Sequence, residues 1–507
     1  MSKHSKAWWL AGSVALVIAG CGGGSGSSNT DSGSGSGTGT DTGSGTGTTT
    51  PAQPNLAERI EPYDTATKSV QASAKSSATV RGAATSQAIA NVALSAPSST
   101  LKSSTLTAAV DAKPGTPIQI GVQREVSATA SVAATSALLA WKPTDSGASV
   151  AAIAFDSPTA QGVRLGVLVQ QLPAKAVLRF YDAAGGEAVE VTAAELQTQT
   201  EQLRNSGADD QVARTYWSPE FGGARTILEV EIAAAADASQ VQIAVPTLSH
   251  FAFSAAEMEK NVLEKATSES CNIDVMCQSD YLQQGRSVAR MIYVSGAGSY
   301  YCTGTLINDA KSSGTPYFLT ANHCISTQAE ASSLITDWFY TASACNSGTV
   351  STNTRRLNKG ASLLYATAST DTSFLQLNEA PPSGVVYAGS YYGSALTTGN
   401  GIAGVHHPSG DLQKMSVGTV KGLGQCSNDT CIDSSDSNNG FYAVNWQQGT
   451  TEGGSSGSAL FYAIGSSRYV TGSLYGGTAS CEVRNGADYY GRFDVPYKAK
   501  LKQWLNP

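Results

Sequence analysis

The sequence predicts an all-β protein in which two packed antiparallel barrels with a C-terminal helix follow a β-sandwich. Three features of the 507 residues lead to this prediction. After residue 266, short segments rich in Tyr, Phe, Val and Leu, such as SYYCTGTLIN and RYVTGSLYGG, follow one another between turns. Earlier segments, such as VRLGVLVQQL and TILEVEIAA, alternate in polarity as sandwich strands do. The final segment, PYKAKLKQWLNP, instead repeats apolar residues at helical spacing.

The first element, residues 1–21, is interpreted as a lipoprotein signal. Lys3 and Lys6 precede an apolar run that is too short to span a membrane comfortably. The run ends in IAGC, which resembles a bacterial lipobox, so we expect lipidation of Cys21 to be the only membrane attachment. The alternative is a plain signal peptide with an incidental cysteine. Residues 22–54 are rich in Gly, Ser and Thr and predict a flexible linker.

Composition narrows the class of protein and its compartment. Charged residues make up 14% of the chain, the net charge is −7, and no basic face is visible, which argues against a nucleic-acid partner. Eight of the nine cysteines fall between Cys271 and Cys481, an even number that indicates disulfides and an oxidising compartment. A zinc site at Cys426 and Cys431 is the alternative, but no suitable histidine spacing accompanies them. We therefore expect an exported protein.

Residues 55–265, here the N-terminal block, lack cysteine and show the alternating pattern of the sandwich. One helix is predicted in TAAELQTQTEQLRNSG, where Thr192 and Glu195 form a capping box and Gly207 ends the helix. No catalytic combination of residues occurs here, and His250 is interpreted as structural.

Residues 266–507, here the C-terminal block, contain a candidate nucleophile in the segment GGSSGSALF. A serine nucleophile needs a histidine base, a carboxylate that orients the base, and N–H donors for the oxyanion. Ser456 is flanked by Gly454 and Gly457, which leave room for a substrate carbonyl. The N–H groups of Gly454 and Ser456 are the predicted oxyanion hole. A flexible turn is the alternative for this segment.

The base and the acid are predicted from a short search, because the chain has only five histidines. His323 lies in TANHC directly after the apolar strand PYFL, and Asp371 opens the alternating segment DTSFLQL. Taken singly, each is equally an ordinary structural residue. The chain order His323, Asp371, Ser456 favours a catalytic triad.

These three motifs resemble those of the trypsin-like serine endopeptidases, which implies two six-stranded antiparallel β-barrels. The segments SCNIDVMC, CTGTLIN, HHP and DYYGR narrow the resemblance to the lysyl endopeptidases of Gram-negative bacteria, over nearly all of 266–507. The resemblance implies hydrolysis without a metal or other cofactor. We assign no chemistry to His406 and His407 of the HHP triplet.

The resemblance also implies a cation pocket. Thr450 stands where trypsin carries its acid, whereas Asp488 matches the acid of the lysyl endopeptidases. Tyr475, Gly476 and Gly477 would form the pocket wall. Tyr475 departs from the family, which carries a histidine there. Preference for Lys over Arg depends on the family alone.

The family's three disulfides match Cys271–Cys481, Cys277–Cys345 and Cys302–Cys324 in this sequence. Cys426 and Cys431 are additional and enclose four residues, so a fourth, local bridge is expected.

A propeptide role is predicted for the N-terminal block. In trypsin, an acid directly before the nucleophile pairs with the freed N-terminus on activation. Ser455 stands at that position here, so the precursor must be kept inactive in another way. We expect self-cleavage after Lys265, which makes Ala266 the mature N-terminus and frees the protease from its lipid anchor.

The sequence therefore predicts a secreted, monomeric serine endopeptidase that cuts protein or peptide substrates after Lys and is made as a zymogen. One alternative is a protease that cuts after both Lys and Arg. The other is a catalytically dead, surface-anchored binding protein.

Overall fold

The structure, a computed structural model, describes residues 57–67, 89–97, 116–182, 188–234, 236–253, 268, 270–427 and 430–507. The predicted signal and Cys21, the linker 22–54 and the processing site at Lys265 and Ala266 lie outside these residues. Within them, no helix combines the length and the apolar character that a membrane crossing requires.

The N-terminal block is built mainly of strands with a few short helices. Its described strands are β1 (Arg59–Ile60), β2 (Tyr63–Asp64), β3 (Ala90–Ala93), β4 (Ile118–Glu125), β5 (Lys142–Pro143), β6 (Ser149–Asp156), β7 (Gly162–Gln171), β8 (Val177–Tyr181), β9 (Val189–Thr192), β10 (Thr215–Trp217), β11 (Arg225–Ile232) and β12 (Gln242–Phe251). Its α-helices are α1 (Val132–Leu138), α2 (Ala193–Asn205) and α3 (Asp210–Ala213).

Two sheets of this block face each other, as the alternating segments predict. One has the order β3-β6-β11-β8-β9, and the other contains β10-β7-β12-β4. Phe155 and Leu228 of the first sheet and Leu165 and Ile243 of the second are fully buried in one apolar cluster. The predicted helix is α2, and the capping box of Thr192 and Glu195 begins it. His250 is buried, and its Nδ1 lies 2.8 Å from the Ser157 hydroxyl, which agrees with a structural role.

The C-terminal block consists of many short strands and ends in helical turns. Its strands are β13 (Ile273–Asp274), β14 (Val288–Ser295), β15 (Gly298–Ile307), β16 (Tyr317–Ala321), β17 (Ile335–Trp338), β18 (Arg355–Leu357), β19 (Ala361–Thr367), β20 (Thr372–Leu377), β21 (Val386–Tyr387), β22 (Gly389–Tyr391), β23 (Gly401–His406), β24 (Lys414–Ser427), β25 (Thr430–Ser434), β26 (Phe441–Gln448), β27 (Ala459–Ile464), β28 (Ser467–Gly477) and β29 (Asp488–Arg492). Its α-helices are α4 (Leu282–Gly285), α5 (Gln328–Ser332), α6 (Asp494–Pro496) and α7 (Lys502–Leu505).

The second barrel is closed and has six strands. The order is β28-β27-β23-β24-β26-β29, and β29 pairs again with β28. After it the chain forms α6, a π-helical turn over Tyr497–Leu501, and α7. Tyr497, Leu501 and Leu505 are buried, so the predicted C-terminal helix packs through one apolar face.

The first barrel is a half-barrel with the order β19-β20-β16-β15-β14-β17-β18. It is open between β18 and β19, the two ends of this order, which no ladder joins in the described residues. One edge of β15, in the middle of the order, is divided between two neighbours. Thr305 to Ile307 pair with β16, whereas Gly298 to Tyr301 pair with β4 of the N-terminal block. The predicted all-β class and the trypsin-like barrel pair are confirmed, and one sheet runs from the sandwich into the first barrel.

The segment Ala57–Thr67 makes a second connection between the two blocks. β1 pairs with β22, and β2 pairs with β21. The Arg286 guanidinium donates to the Asp64 carboxylate at 3.0 Å, and the Tyr469 hydroxyl donates to Glu61 at 2.6 Å. The N-terminal block also contacts the C-terminal block elsewhere, through the ion pair of Glu220 with Arg356 and the 2.7 Å hydrogen bond from Arg164 to the Ser333 carbonyl.

The described residues contain four disulfides, which are the three that the family resemblance implies and the expected local bridge. They are Cys271–Cys481, Cys277–Cys345, Cys302–Cys324 and Cys426–Cys431.

Candidate active site

His323 and Asp371 lie side by side because the strands that carry them are paired. Ala321 at the end of β16 is opposite Thr372 at the start of β20. His323 Nδ1 lies 2.6 Å from Asp371 Oδ2, and the His323 backbone N–H donates to Oδ1 at 2.8 Å. The carboxylate thus contacts both the imidazole and its loop. A proton on Nδ1 that faces a carboxylate leaves Nε2 free to accept a proton.

Asp371 is almost fully buried and adopts a left-handed backbone conformation with a φ of 46°. Asp tolerates this region better than most residues do. Its own backbone carbonyl accepts a hydrogen bond from the Asn322 N–H at 3.0 Å. Side chain and main chain of Asp371 therefore both fix the loop that carries His323.

Ser456 lies in a tight turn that packs against the same strands. Gly454 and Gly457 have φ values of 91° and 82°, which only glycine adopts at low cost. A Cβ on Gly457 would lie 2.5 Å from the Thr303 carbonyl oxygen and 2.7 Å from the Ala321 nitrogen. The glycine next to Ser456 therefore lets the serine turn approach the strand that leads to His323.

Thr303 in β15 is a residue that the sequence analysis did not identify. Its N–H donates to the Ser456 carbonyl at 2.8 Å, and its hydroxyl donates to the Gly454 carbonyl at 2.9 Å. The preceding residue, Cys302, is bonded to Cys324, the neighbour of His323. β15 thus connects the serine turn to the histidine loop. A lone threonine inside a strand gives no sequence signal for this role.

The predicted oxyanion donors are available for a substrate. Within the described residues, the N–H groups of Gly454 and Ser456 have no recorded acceptor. The His323 Nε2 is buried and has no hydrogen-bond partner in this same part of the chain. The Ser456 hydroxyl is therefore not bonded to the imidazole here, a separation that resting sites of this kind often show before substrate binds.

A buried chain of hydrogen bonds behind the nucleophile contains His406. Its Nδ1 lies 2.8 Å from the Ser455 hydroxyl, and its Nε2 lies 3.1 Å from the Ser416 hydroxyl. The Ser416 hydroxyl in turn donates to the Thr450 carbonyl at 2.6 Å. Burial lowers the pKa of His406 to about 3, so the ring is neutral at ordinary pH. HHP was noted in the sequence, but its contact with Ser455 was not predictable from it.

Asp488 is a buried acid at the start of β29, and its partner Thr451 lies shortly before Ser456 in the chain. Its side chain is 1% exposed, and its Oδ2 accepts hydrogen bonds of 2.6 Å from Trp446 Nε1 and from the Thr451 hydroxyl. Burial raises the pKa of the Asp488 carboxyl to about 6, while these two donors act in the opposite direction. Gly477 pairs with Asp488, and a Cβ on Gly477 would overlap the carboxylate. The predicted acid and the glycine wall therefore lie together.

Tyr475 lies between the pocket wall and the imidazole. Its ring centroid is 5.7 Å from that of His323 at an interplanar angle of 82°, and 5.7 Å from the Phe441 ring. It sits at a bulge, since the register of β28 on β29 shifts between Leu474 and Gly476. An edge-on aromatic contact restricts the orientation of the imidazole.

Cys302, His323 and Cys324 lie close enough together to form a metal-ligand cluster. Both sulfurs are part of one disulfide, so neither is available as a thiolate ligand. The cluster is explained by the covalent link between β15 and the histidine loop.

The structure contains a closed barrel beside a half-barrel, and Ser456, His323 and Asp371 lie on loops at these barrels. This arrangement is that of the trypsin-like serine endopeptidases. The family model "Lysyl endopeptidase, C-terminal domain" matches residues 265–491, and "Lysyl endopeptidase N-terminal domain" matches residues 93–252. The chain is 33% identical over 420 residues to the lysyl endopeptidase of Pseudomonas aeruginosa, covering 78% of this chain and 83% of the relative. The chain therefore belongs to the lysyl endopeptidase family and is a serine endopeptidase.

Other similarities are weaker. The secreted RxLR effector protein 73 of Plasmopara viticola is 27% identical over 220 residues, covering 40% of this chain and 50% of the relative. The solved HtrA-type protease AlgW with tripeptide gives a TM-score of 0.30 at 16% identity, covering 44% of this chain and 62% of AlgW. The solved Deg5 gives a TM-score of 0.28 at 16% identity, covering 44% and 93%. TM-scores this low add nothing to the argument.

Proposed function

We propose that the chain is the precursor of a secreted endopeptidase that cuts peptide bonds after lysine. The observation that carries this proposal is the buried carboxylate of Asp488, which lies against Gly477 and accepts a hydrogen bond from Thr451, shortly before Ser456 in the chain. A substrate ammonium buried there gains an opposite charge, whereas an uncharged side chain would leave that charge unpaired.

The reaction follows from the contacts of the three catalytic residues. His323 Nε2 takes the proton as the Ser456 hydroxyl attacks the carbonyl carbon after lysine, while Asp371 stabilises the imidazolium through Nδ1. The N–H groups of Gly454 and Ser456 bind the oxyanion. His323 then gives its proton to the leaving amine, and water hydrolyses the resulting ester by the same route in reverse.

The hydrogen bonds of Asp488 favour lysine over arginine. Both side-chain donors, from Trp446 and Thr451, occupy Oδ2. An arginine fork binds a carboxylate best when both oxygens accept in parallel, whereas an ammonium needs only one acceptor. The Ala479 backbone N–H also donates to this carboxylate, so little of it remains for a two-pronged contact, and the single contact of an ammonium is favoured.

The precursor part of the proposal has its own support. Ser455 is bonded to the neutral His406 rather than to a new N-terminal ammonium, so activation by chain cleavage does not need that ion pair. The N-terminal block is then the propeptide, Cys21 is the lipid anchor, and cleavage after Lys265 releases a monomeric protease.

Mass spectrometry of a mixed-protein digest by the processed enzyme tests the specificity, with Ser456→Ala as the control for contaminating proteases. We expect cleavage after lysine with arginine bonds left intact. Equal cleavage after arginine would support the alternative of dual specificity, and an enzyme that cuts nothing would support the binding-protein alternative. N-terminal sequencing of the secreted form should read ATSESCNIDV, and a start beyond Cys271 would refute the processing site.

A further inference from the structure

The propeptide strand β4 ends its pairing with β15 immediately beside the catalytic residues. Ile118 is opposite Tyr301, and Val122 is opposite Gly298. Tyr301 precedes Cys302, which is tied to the histidine loop, and Thr303, which holds the serine turn. The N-terminal end of β4 therefore lies at the part of β15 that organises the active site.

Ile118 contacts the serine turn itself. Its side chain is 3% exposed, and a Cβ on Gly453 would lie between 3.5 and 3.8 Å from three of its side-chain carbon atoms. Gly453 directly precedes the oxyanion donor Gly454. Ile118 thus lies directly against the residue that precedes the predicted oxyanion donor.

Further contacts hold β4 in this position. The Gln123 N–H donates to the Ala297 carbonyl at 2.9 Å, and the hydroxyls of Ser249 and Ser299 lie 2.7 Å apart. Residues of both blocks also share one buried apolar cluster, which consists of Ile118, Ile120, Phe251, Ala252, Phe253, Ile292, Tyr301 and Ile335. β4 is therefore a fixed part of the interface between the blocks.

The side of the cleft that β4 occupies follows from the chemistry. His323 protonates the amine of the leaving product. The part of the substrate that follows the cut bond therefore leaves past His323 and past the strand that is bonded to the His323 loop. That strand is β15, linked through Cys302–Cys324. The lysine side chain points the other way, toward Asp488, whose side-chain donors Trp446 and Thr451 belong to the C-terminal block.

We propose that β4 keeps the precursor latent by occupying the leaving-group side of the cleft, while the serine and the lysine pocket stay usable. This inference rests on the proposed function. Residues 116–125 contain no lysine, so the enzyme cannot remove this strand by cutting within it. The precursor should cut peptides that extend beyond lysine only slowly, which still permits the first self-cleavage after Lys265, and should accept substrates that end in a small leaving group.

The test compares two substrates on the intact precursor, kept whole by the substitutions Lys260→Gln and Lys265→Gln. One is the benzyl ester of acetyl-lysine, from which Ser456 Oγ displaces benzyl alcohol as His323 supplies the proton and water then hydrolyses the acyl-enzyme. The other is a peptide with five residues after its lysine. We expect ester hydrolysis within about threefold of the processed enzyme. The peptide should be cut at least about 100-fold more slowly, because a tethered strand competes at a high effective concentration.

Two results would overturn the inference: a precursor equally slow on both substrates, or one equally fast on both. A processed enzyme inactive on both would instead contradict the proposed function. Ile118→Asp in the precursor should restore peptide cleavage at least about tenfold. Glu125→Ala, at the exposed far end of the strand, is the matched control and should leave the ratio unchanged. A folded Ile118→Asp precursor with the unchanged ratio would also contradict the inference.

Discussion

Replacing Asp488 by Asn tests the physical basis of specificity. The substitution keeps the size of the side chain and removes its charge. The carboxylate is buried, so no water replaces it as a partner for the substrate ammonium. Leaving one charge of a buried pair without its partner costs about 3–5 kcal/mol. We therefore expect kcat/KM for lysine substrates to fall by about 100- to 1,000-fold.

The loss should not come from unfolding. Burial raises the pKa of Asp488 from 3.8 to about 6, so the folded protein without substrate disfavours the ionised carboxylate. Because the pKa of this acid is higher in the folded than in the unfolded state, the free energy of unfolding falls as the pH rises from about 3.8 to about 6. The neutral Asn avoids that cost, and the Tm at pH 7.5 should be equal to or higher than that of the unchanged enzyme.

The assay is hydrolysis of a fluorogenic lysine peptide, with inhibition by n-butylamine as a measure of pocket occupancy alone. Below about pH 6 the carboxyl takes up a proton, so amine binding should weaken in the unchanged enzyme and show no such pH dependence in Asp488→Asn. Asp433→Asn is the control, because Asp433 is an exposed carboxylate that contacts the neighbouring Tyr489. An Asp488→Asn enzyme with normal kcat/KM and normal amine inhibition would refute the reasoning.

Three further predictions concern the supports of the site. Gly457→Ala should abolish measurable activity and lower the free energy of unfolding by about 3 kcal/mol or more, because its Cβ would overlap the neighbouring backbone. In the control Gly465→Ala, the Cβ meets nothing within 4 Å, so the free energy of unfolding should fall by only about 1 kcal/mol and activity should be unchanged. Removing the Cys302–Cys324 disulfide should lower the free energy of unfolding by about 3 kcal/mol and should lower kcat, because the histidine loop is then no longer tied to β15. Removing the Cys426–Cys431 disulfide should lower the free energy of unfolding by about 2 kcal/mol and leave kcat unchanged. Equal effects of the two changes on kcat would contradict the role of β15. Burial lowers the pKa of His406 to about 3, so below pH 6.5 the unfolded chain binds a proton at this residue that the folded chain does not bind. The contribution of His406 to the free energy of unfolding should therefore fall by about 1.4 kcal/mol for each pH unit toward acid. Denaturant titrations at several pH values should find a shallower fall in His406→Gln.

The residues of the candidate triad could be proposed from local motifs in the sequence. Ser456 between two glycines, His323 after an apolar strand and Asp371 at a strand mouth are each readable in fewer than ten letters. Strand periodicity also predicted the sandwich and the barrels, and the helix of Tyr497 and Leu501 followed from apolar spacing.

The supporting residues were not predictable, because their roles arise from long-range pairing. Thr303 acts on Ser456 only because β15 passes under the serine turn, and His406 reaches Ser455 across a strand pair. The open first barrel was equally hidden. A single sequence does not reveal that β18 and β19 stay apart, or that β4 of the N-terminal block pairs with one edge of β15.

Labelling with a fluorophosphonate tests the central claim most directly, since only a hydroxyl activated by its own base forms this adduct readily. Mass spectrometry of the processed enzyme should find one phosphonate on Ser456, and His323→Ala should lose it although Gly465→Ala keeps it. An unlabelled Ser456 in a folded, processed protein, or equal labelling without His323, would contradict the account.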